Sequence, residues 1–229
     1  MHLAPLGDQA ILITLGNTID EATHRLVRAA VARIDEARVD GVIDLVPAFA
    51  SVAVHYDPAR VTGDGATPYA RLAQRLEQTL SALTRAELPP PRTVEIPVCY
   101  GGDLGPDLDE VARAHDMSAE DVVRLHSQAT YLVYMVGFMP GFAYLGGLPE
   151  QIATPRRSSP RAAVPAGTVG IGGNQTGVYP LVSPGGWNLI GRTPARIFDI
   201  TRDEPTLLAT GDRVRFRPIA RDAFDEWRE

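Results

Sequence analysis

The stretch Gly137–Pro194, GFMPGFAYLGGLPEQIATPRRSSPRAAVPAGTVGIGGNQTGVYPLVSPGGWNLIGRTP, decides how the chain is read. Its 58 residues carry 12 of the 21 glycines and 8 of the 19 prolines. Both residues disfavour helix interiors, so helix is nearly excluded. Disordered segments reach similar Gly and Pro contents, but they lack interleaved side chains such as Phe142, Tyr144, Val169, Ile171, Tyr179 and Trp187. The pattern predicts ordered loops and the short strands of a barrel.

Outward from this stretch the texture becomes regular. Upstream, Tyr131–Val136 reads as a strand, Ser118–Gln128 and Asp107–His115 as short helices, and Thr93–Tyr100 as a strand. Downstream, Arg196–Thr201 and Arg213–Pro218 read as strands, with Gly211-Asp212 as a turn before the second. Leu88-Pro89-Pro90-Pro91-Arg92 reads as a linker, since three consecutive prolines fit neither a helix nor a central strand. The expected organisation is a domain over 1–88, a Pro-rich linker over 89–92 and a second domain over 93–229. In the first, strand Ala10–Leu15, helix Asp20–Arg38, strands Val42–Val46 and Ser51–Tyr56, and helix Pro68–Glu87 follow in the order β-α-β-β-α. Helices packed on one face of a small antiparallel sheet, an α+β domain, satisfy that order. Leu26, Ala29, Ala30, Arg33, Ile34 and Ala37 fall at helical spacing on what is expected to be the inner face of the first helix, and Leu72, Leu76, Leu80 and Leu83 on that of the second.

Composition narrows the chemistry. All 22 basic residues are arginine. The lack of lysine excludes a Schiff-base lysine, a GxxxxGK[ST] phosphate loop and the kinase strand lysine. Cys99 is the only cysteine, so neither an intrachain disulfide nor a cysteine-based zinc cluster forms. The five histidines fall at none of the metal-ligand spacings, and no metal site is expected. No apolar run approaches the ~20 residues of a membrane helix, and the N-terminus has no export signal pattern, so a cytoplasmic protein without membrane contact is expected. Residues 1–128 carry 11 arginines against 19 acidic residues, whereas 129–200 carry 5 against only Glu150 and Asp199. An acidic chain with one mildly basic segment suits a small anionic ligand better than nucleic acid. Asp107–Gln128 has the length of a helix-turn-helix, but Glu120 and Asp121 would meet phosphates, which speaks against DNA.

Within the stretch, Arg156, Arg157, Arg161 and Arg192 offer planar donor forks for a carboxylate or phosphate. Glycines let backbone N–H groups approach an anion closely. Phe142, Tyr144, Tyr179 and Trp187 are candidates for the apolar wall of a pocket, with Gln175, Ser183 and Asn188 as neutral hydrogen-bonding groups. Core packing is the competing role, foremost for Trp187. The stretch has no His, Cys or Asp, and Glu150 is its one carboxylate, so neither a Ser-His-Asp triad nor a carboxylate pair assembles within it. His126, just upstream, is the nearest candidate for proton transfer, against a plain role at a helix C-terminus. The expectation is half of a site, completed by a partner chain.

The blocks GFMPGFAYLGGL, PRRSSPR, VPAGTVGIGGNQTGVYP and SPGGWNLIGRTP, with Gly7-Asp8 and Pro47 with Ser51 ahead of them, resemble the family of the small 5-oxoprolinase subunit PxpB and KipI, formerly labelled allophanate hydrolase subunit 1. The resemblance covers nearly the whole chain. It implies an N-terminal α+β domain followed by a mainly-β, cyclophilin-like barrel domain. It also implies a subunit of an ATP-dependent lactam hydrolase, inactive alone, that opens 5-oxo-L-proline to L-glutamate. Its partners would be a larger homologous barrel subunit of the PxpC/KipA kind and a third subunit of the PxpA kind. ATP with Mg would lie at a site shared with a partner, none being bound by this chain alone. His126, Arg161 and Arg192 are then the expected catalytic residues, with Arg156 beside the last two in a clamp for developing charge. Phe142, Tyr144, Arg156, Gln175, Tyr179, Ser183 and Trp187 are the expected substrate contacts. The same family implies two other roles: a KipI-type inhibitor of a sensor histidine kinase, and a carboxyltransferase component of urea metabolism.

Overall fold

The computed structural model describes residues 1–63, 67–81, 83 and 91–228. The chain divides into two compact units, Met1–Pro90 and Pro91–Glu229. Residues 89 and 90 of the expected linker lie outside the described residues.

The first unit is a four-stranded antiparallel sheet in the order β1-β2-β4-β3, built from β1 (His2–Pro5), β2 (Ala10–Thr14), β3 (Val42–Pro47) and β4 (Ser51–Tyr56). The edge strand β1 is not foreseen from the sequence because four residues containing a proline carry no period. Helix α1 (Glu21–Ala37) starts where the Asp20 carboxylate accepts a hydrogen bond from the Thr23 N–H at 2.7 Å. It ends at Arg38, whose φ of 44° is left-handed. Val27, Ala30 and Ile34 face the sheet and pack with Leu72, Leu76 and Leu80 of α2 (Pro68–Leu80). Leu26, Arg33 and Ala37, expected on that inner face, are exposed instead, Leu26 one position round the helix from Val27. Of the expected second helix, residues 82 and 84–87 lie outside the described residues. Among the described residues, no helix is long and apolar enough to cross a membrane.

The second unit is a closed seven-stranded barrel. Its strands are β5 (Thr93–Tyr100), β6 (Tyr131–Val136), β7 (Ala143–Gly146), β9 (Thr168–Gly172), β10 (Gln175–Val178), β12 (Asn188–Arg192) and β13 (Arg213–Pro218). Around the barrel the order is β10-β7-β6-β13-β5-β12-β9, and closure leaves no free edge. Only β5 and β13 pair in parallel, from Arg213 opposite Thr93 to Pro218 opposite Val98. Alternate residues point inward, among them Ile96, Val98, Leu145, Val169, Ile171 and Ile190. Two short strands, β8 (Arg161–Val164) and β11 (Ser183–Gly185), form a separate ribbon. The strand expected over Arg196–Thr201 is not formed. Only a single bridge, Phe198 to Thr206, occurs there, because Asp199 turns the chain by accepting hydrogen bonds from the Thr201 N–H and hydroxyl.

Helices α3 (Leu108–Ala114) and α4 (Ala119–Gln128) lie between β5 and β6 and pack into the barrel core through Leu108, Val111 and Val122. A last short helix, α5 (Arg221–Asp225), follows β13.

Candidate functional site

The glycines of the rich stretch make room for one side chain. A Cβ at Gly172 would stand 2.5 Å from Trp187 Cδ1, one at Gly177 3.2 Å from Trp187 Cζ3, and one at Gly170 3.2 Å from Trp187 Cβ. Three glycines on β9 and β10 thus form a flat floor for the indole. Around it stand Phe142, Tyr179, Val164 and Leu189, with Met139 and Tyr144 at the margin. Phe142 meets Tyr144, Tyr179 and Trp187 edge-on, at centroid separations of 5.0, 5.6 and 5.6 Å. Gly185 sits against the Tyr179 hydroxyl, where a Cβ would come within 2.5 Å. Anion approach is therefore not what these glycines provide.

Arginines stand on this aromatic cluster. The Arg156 guanidinium lies 5.9 Å from the Trp187 ring centroid, a cation–π contact. Burial raises the Tyr179 phenol pKa, while a hydrogen bond from the Trp187 backbone and the charges of Arg156 and Arg161 oppose that rise. Both arginines thus act on the Tyr179 hydroxyl. The loop bearing them is tied down: Asn188 Nδ2 donates to the Pro155 carbonyl at 2.9 Å and the Arg157 N–H to the Gly186 carbonyl at 2.7 Å.

Behind them is a residue that sequence reasoning missed. Asp107 is 3% exposed and occupies the N-cap position of α3, yet it makes no capping bond. Its Oδ1 accepts from Arg161 Nη2 at 2.6 Å and from Arg157 Nη1 at 3.3 Å. Its Oδ2 accepts from the Leu189 N–H at 2.7 Å, while its own N–H donates to the Leu189 carbonyl at 2.9 Å. Gly105 lets this loop lie flat on β12, since a Cβ there would meet the Ile190 carbonyl oxygen at 2.1 Å. Arg157 also reaches Glu110 at 3.3 Å. Two buried guanidinium nitrogens, Arg157 Nε and Arg161 Nη1, have no hydrogen-bond partner. Each such donor costs on the order of 1–3 kcal/mol. The signal for Asp107 in the sequence was indirect: a segment with four arginines and almost no acid needs a counter-ion from elsewhere.

The remaining expected residues are placed apart from this cluster. Arg192 donates from Nε to the Ala166 carbonyl at 2.8 Å and lines a cavity of about 380 Å³ with Gly167, Pro180, Arg196, Ile197 and Phe224. Neither Arg156 nor Arg161 lines that cavity. Gln175 is half-buried at the start of β10, opposite Gly172. Ser183 is half-buried in β11, opposite Val164. His126 lies inside the barrel, wholly buried and touching four strands. One ring nitrogen bonds the Tyr100 hydroxyl at 2.8 Å, the other the Thr176 hydroxyl at 2.9 Å, and the ring stacks on Phe216 at 4.6 Å near Tyr131. Burial pushes its pKa down to about 3, so the imidazole is neutral. This geometry describes a core histidine with both nitrogens occupied. Among the described residues, no group of three or more His, Cys, Asp or Glu side chains is placed to hold a metal ion.

Comparison with known proteins agrees with this architecture. Residues 1–208 match the family described as carboxyltransferase domain, subdomain C and D. The chain belongs to that family. A 5-oxoprolinase subunit of Bacillus subtilis is 45% identical over 100% of this chain and 97% of its own. Its counterpart in Haemophilus influenzae is 41% identical over 94% of this chain and 97% of its own. Within the family, then, this chain falls among the 5-oxoprolinase B subunits. The solved structure of TTHA0988 is 37% identical with a TM-score of 0.80, covering 93% of this chain and 40% of that one. The chain thus spans well under half of that longer relative.

Proposed function

We propose that this chain is the small subunit of an ATP-dependent 5-oxoprolinase, converting 5-oxo-L-proline, ATP and water to L-glutamate, ADP and phosphate. The arginine pair set beside an aromatic wall carries this reading, together with full-length kinship to proteins named as 5-oxoprolinase subunits. A lactam is a poor electrophile, and ATP, when bound, supplies the phosphoryl group that activates its oxygen. The chain's own contribution is to hold negative charge. Arg156 and Arg161 contact the anionic oxygens of substrate or phosphoryl group, while Phe142, Tyr144, Tyr179 and Trp187 exclude water from the ring. Ser183, opposite Val164 of the cluster, is the neutral hydrogen-bonding group at its edge, and Gln175, apart from it on β10, is assigned to substrate only if the partner extends the pocket that far. Arg192 supplies a second anion contact from the neighbouring cavity. His126 is given a structural part.

The chain alone does not hold ATP with Mg. It has no lysine for a phosphate loop, and the arginine cluster fits only the anionic part of a nucleotide. The missing acid, base and metal-binding groups come from a larger homologous barrel subunit, with a third subunit completing a cytoplasmic complex. The loops beside the aromatic cluster offer a surface for that partner. Phe138, 64% exposed, is held at a φ of 72° and packs edge-on to Phe142, and Leu181 and Val182 follow Tyr179-Pro180 in the open. We also take the barrel to be of the cyclophilin-like kind. The test is the complex reconstituted with Arg161→Ala: assembly is retained and 5-oxoproline-dependent ADP release falls by about 100-fold or more. Full activity of that complex contradicts the assignment.

A further inference from the structure

We propose that Asp107 is a positioning residue that orients Arg157 and Arg161 as a paired oxyanion site; the inference deepens the reading of this cluster as an anion clamp and rests on it. Asp107 sits where a helix N-cap belongs, yet its carboxylate turns away from α3 to two guanidinium groups and the Leu189 N–H. One buried carboxylate holding two arginines leaves that trio with net positive charge. The fork of each arginine keeps nitrogens beyond those that Asp107 engages; two of these, Arg157 Nε and Arg161 Nη1, are buried without a partner in the protein, so a ligand arriving from outside meets the remainder of each fork. The two arginine side chains remain about one-third exposed, 32% and 28%, whereas the Asp107 side chain is 4% exposed. The arrangement therefore has a fixed, buried anchor and an accessible cationic face. Glu110, 3.3 Å from Arg157 and largely exposed, is the competing anion that a ligand would displace.

The ligand class is a small oxyanion, either a carboxylate or a phosphoryl group, both of which match a guanidinium pair. Arg157, one of the four donors read from the sequence but left out of the three-arginine clamp, becomes one of the two principal donors. Asp107 touches neither substrate nor nucleotide in this account and acts through the arginines.

The experiment titrates inorganic phosphate, and separately acetate, into the full chain carrying Trp227→Phe. The fluorescence then reports Trp187, which Arg156 covers. The intact cluster is expected to give a saturable response, and the tighter-binding probe shows whether phosphoryl or carboxylate is the natural group. Asp107→Asn, which keeps shape and an acceptor for Leu189, is expected to weaken binding at least about tenfold in a chain that stays folded at the assay temperature, though with a lowered melting temperature. Because Asp107 works through Arg157 and Arg161 together, adding Asp107→Asn to the double variant Arg157→Ala with Arg161→Ala should change its affinity by no more than about twofold. If Asp107→Asn fails to fold, Arg157→Ala decides: it is expected to weaken binding at least about fivefold, with partial recovery in Arg157→Lys. No saturable response in the parent chain, unchanged affinity in the single variants, or a larger effect of Asp107→Asn in the double variant would each overturn the proposal. Turnover of 5-oxoproline by the complex is measured separately. Binding without turnover removes the proposed reaction and leaves the oxyanion site standing.

Discussion

Four arginines in an acid-poor segment were visible in the sequence, but not which of them share a partner. The structure divides them: Arg157 and Arg161 on Asp107, Arg156 on Trp187, and Arg192 on a different cavity. In the reconstituted complex Arg192→Ala is therefore expected to cost less activity than Arg161→Ala, by about tenfold in kcat/KM; equal losses would place both on one ligand atom. Asp107 was illegible because its partners lie 50 and 54 positions away and because an Asp before a helix reads as a cap. His126 misled for a related reason. A histidine at a helix end looks accessible until the helix is known to enter a barrel. Its depressed pKa has a consequence for stability. The folded value of about 3 lies below the ~6.5 of a free imidazole, so the unfolded chain takes up the proton first. Stability is complete above about pH 6.5 and falls as pH drops toward 3, by at most about 1.4 kcal/mol per pH unit. His24, buried in the first unit and pushed down to about 4, acts in the same direction there. Denaturant titrations of the wild type and His126→Gln at pH 7 and 5 check this: the variant, less stable at pH 7, loses less on acidification.

At the scale of elements, hydrophobic period located α1, β4, α4 and β13, which bury mainly one face, whereas β5 and β6, buried at consecutive residues, were legible as apolar runs. Where glycine and proline set the path, period fails, and the short strands β7 to β12 were expected only as a class. Their order around the barrel is not encoded locally, since β13 closes against β5 across more than a hundred residues. The glycines' purpose was also hidden. Sequence alone allows them either to approach a ligand or to make room for a side chain, and it is the side chain of Trp187 that they accommodate. Gly172→Ala forces the indole off its floor and is expected to destabilise the second unit by about 1–3 kcal/mol, with a changed near-ultraviolet dichroism. An unaltered spectrum and stability would show that the floor can give. Phe138, bulky and exposed at a positive φ, belongs to this scale too. Phe138→Ser should leave the chain folded and weaken co-purification with the larger subunit, whereas undiminished assembly would remove this loop from the interface.

At the scale of the whole molecule, the proposed site is one that a partner completes. The second unit brings together arginines and aromatics beside the exposed Phe138, Leu181 and Val182. His126 is sealed in the barrel, His115 bonds the Thr154 hydroxyl at 3.0 Å at the start of the arginine-bearing loop, and the Asp107 carboxylate is already taken by arginines. The most direct measurement is the coupled release of ADP and glutamate from 5-oxoproline and ATP, by this chain alone, by its partner subunits without it, and by all together. A shared site predicts release in the complete mixture and neither product from the chain alone. Turnover by the isolated chain, or undiminished turnover by the partners without it, would contradict the account.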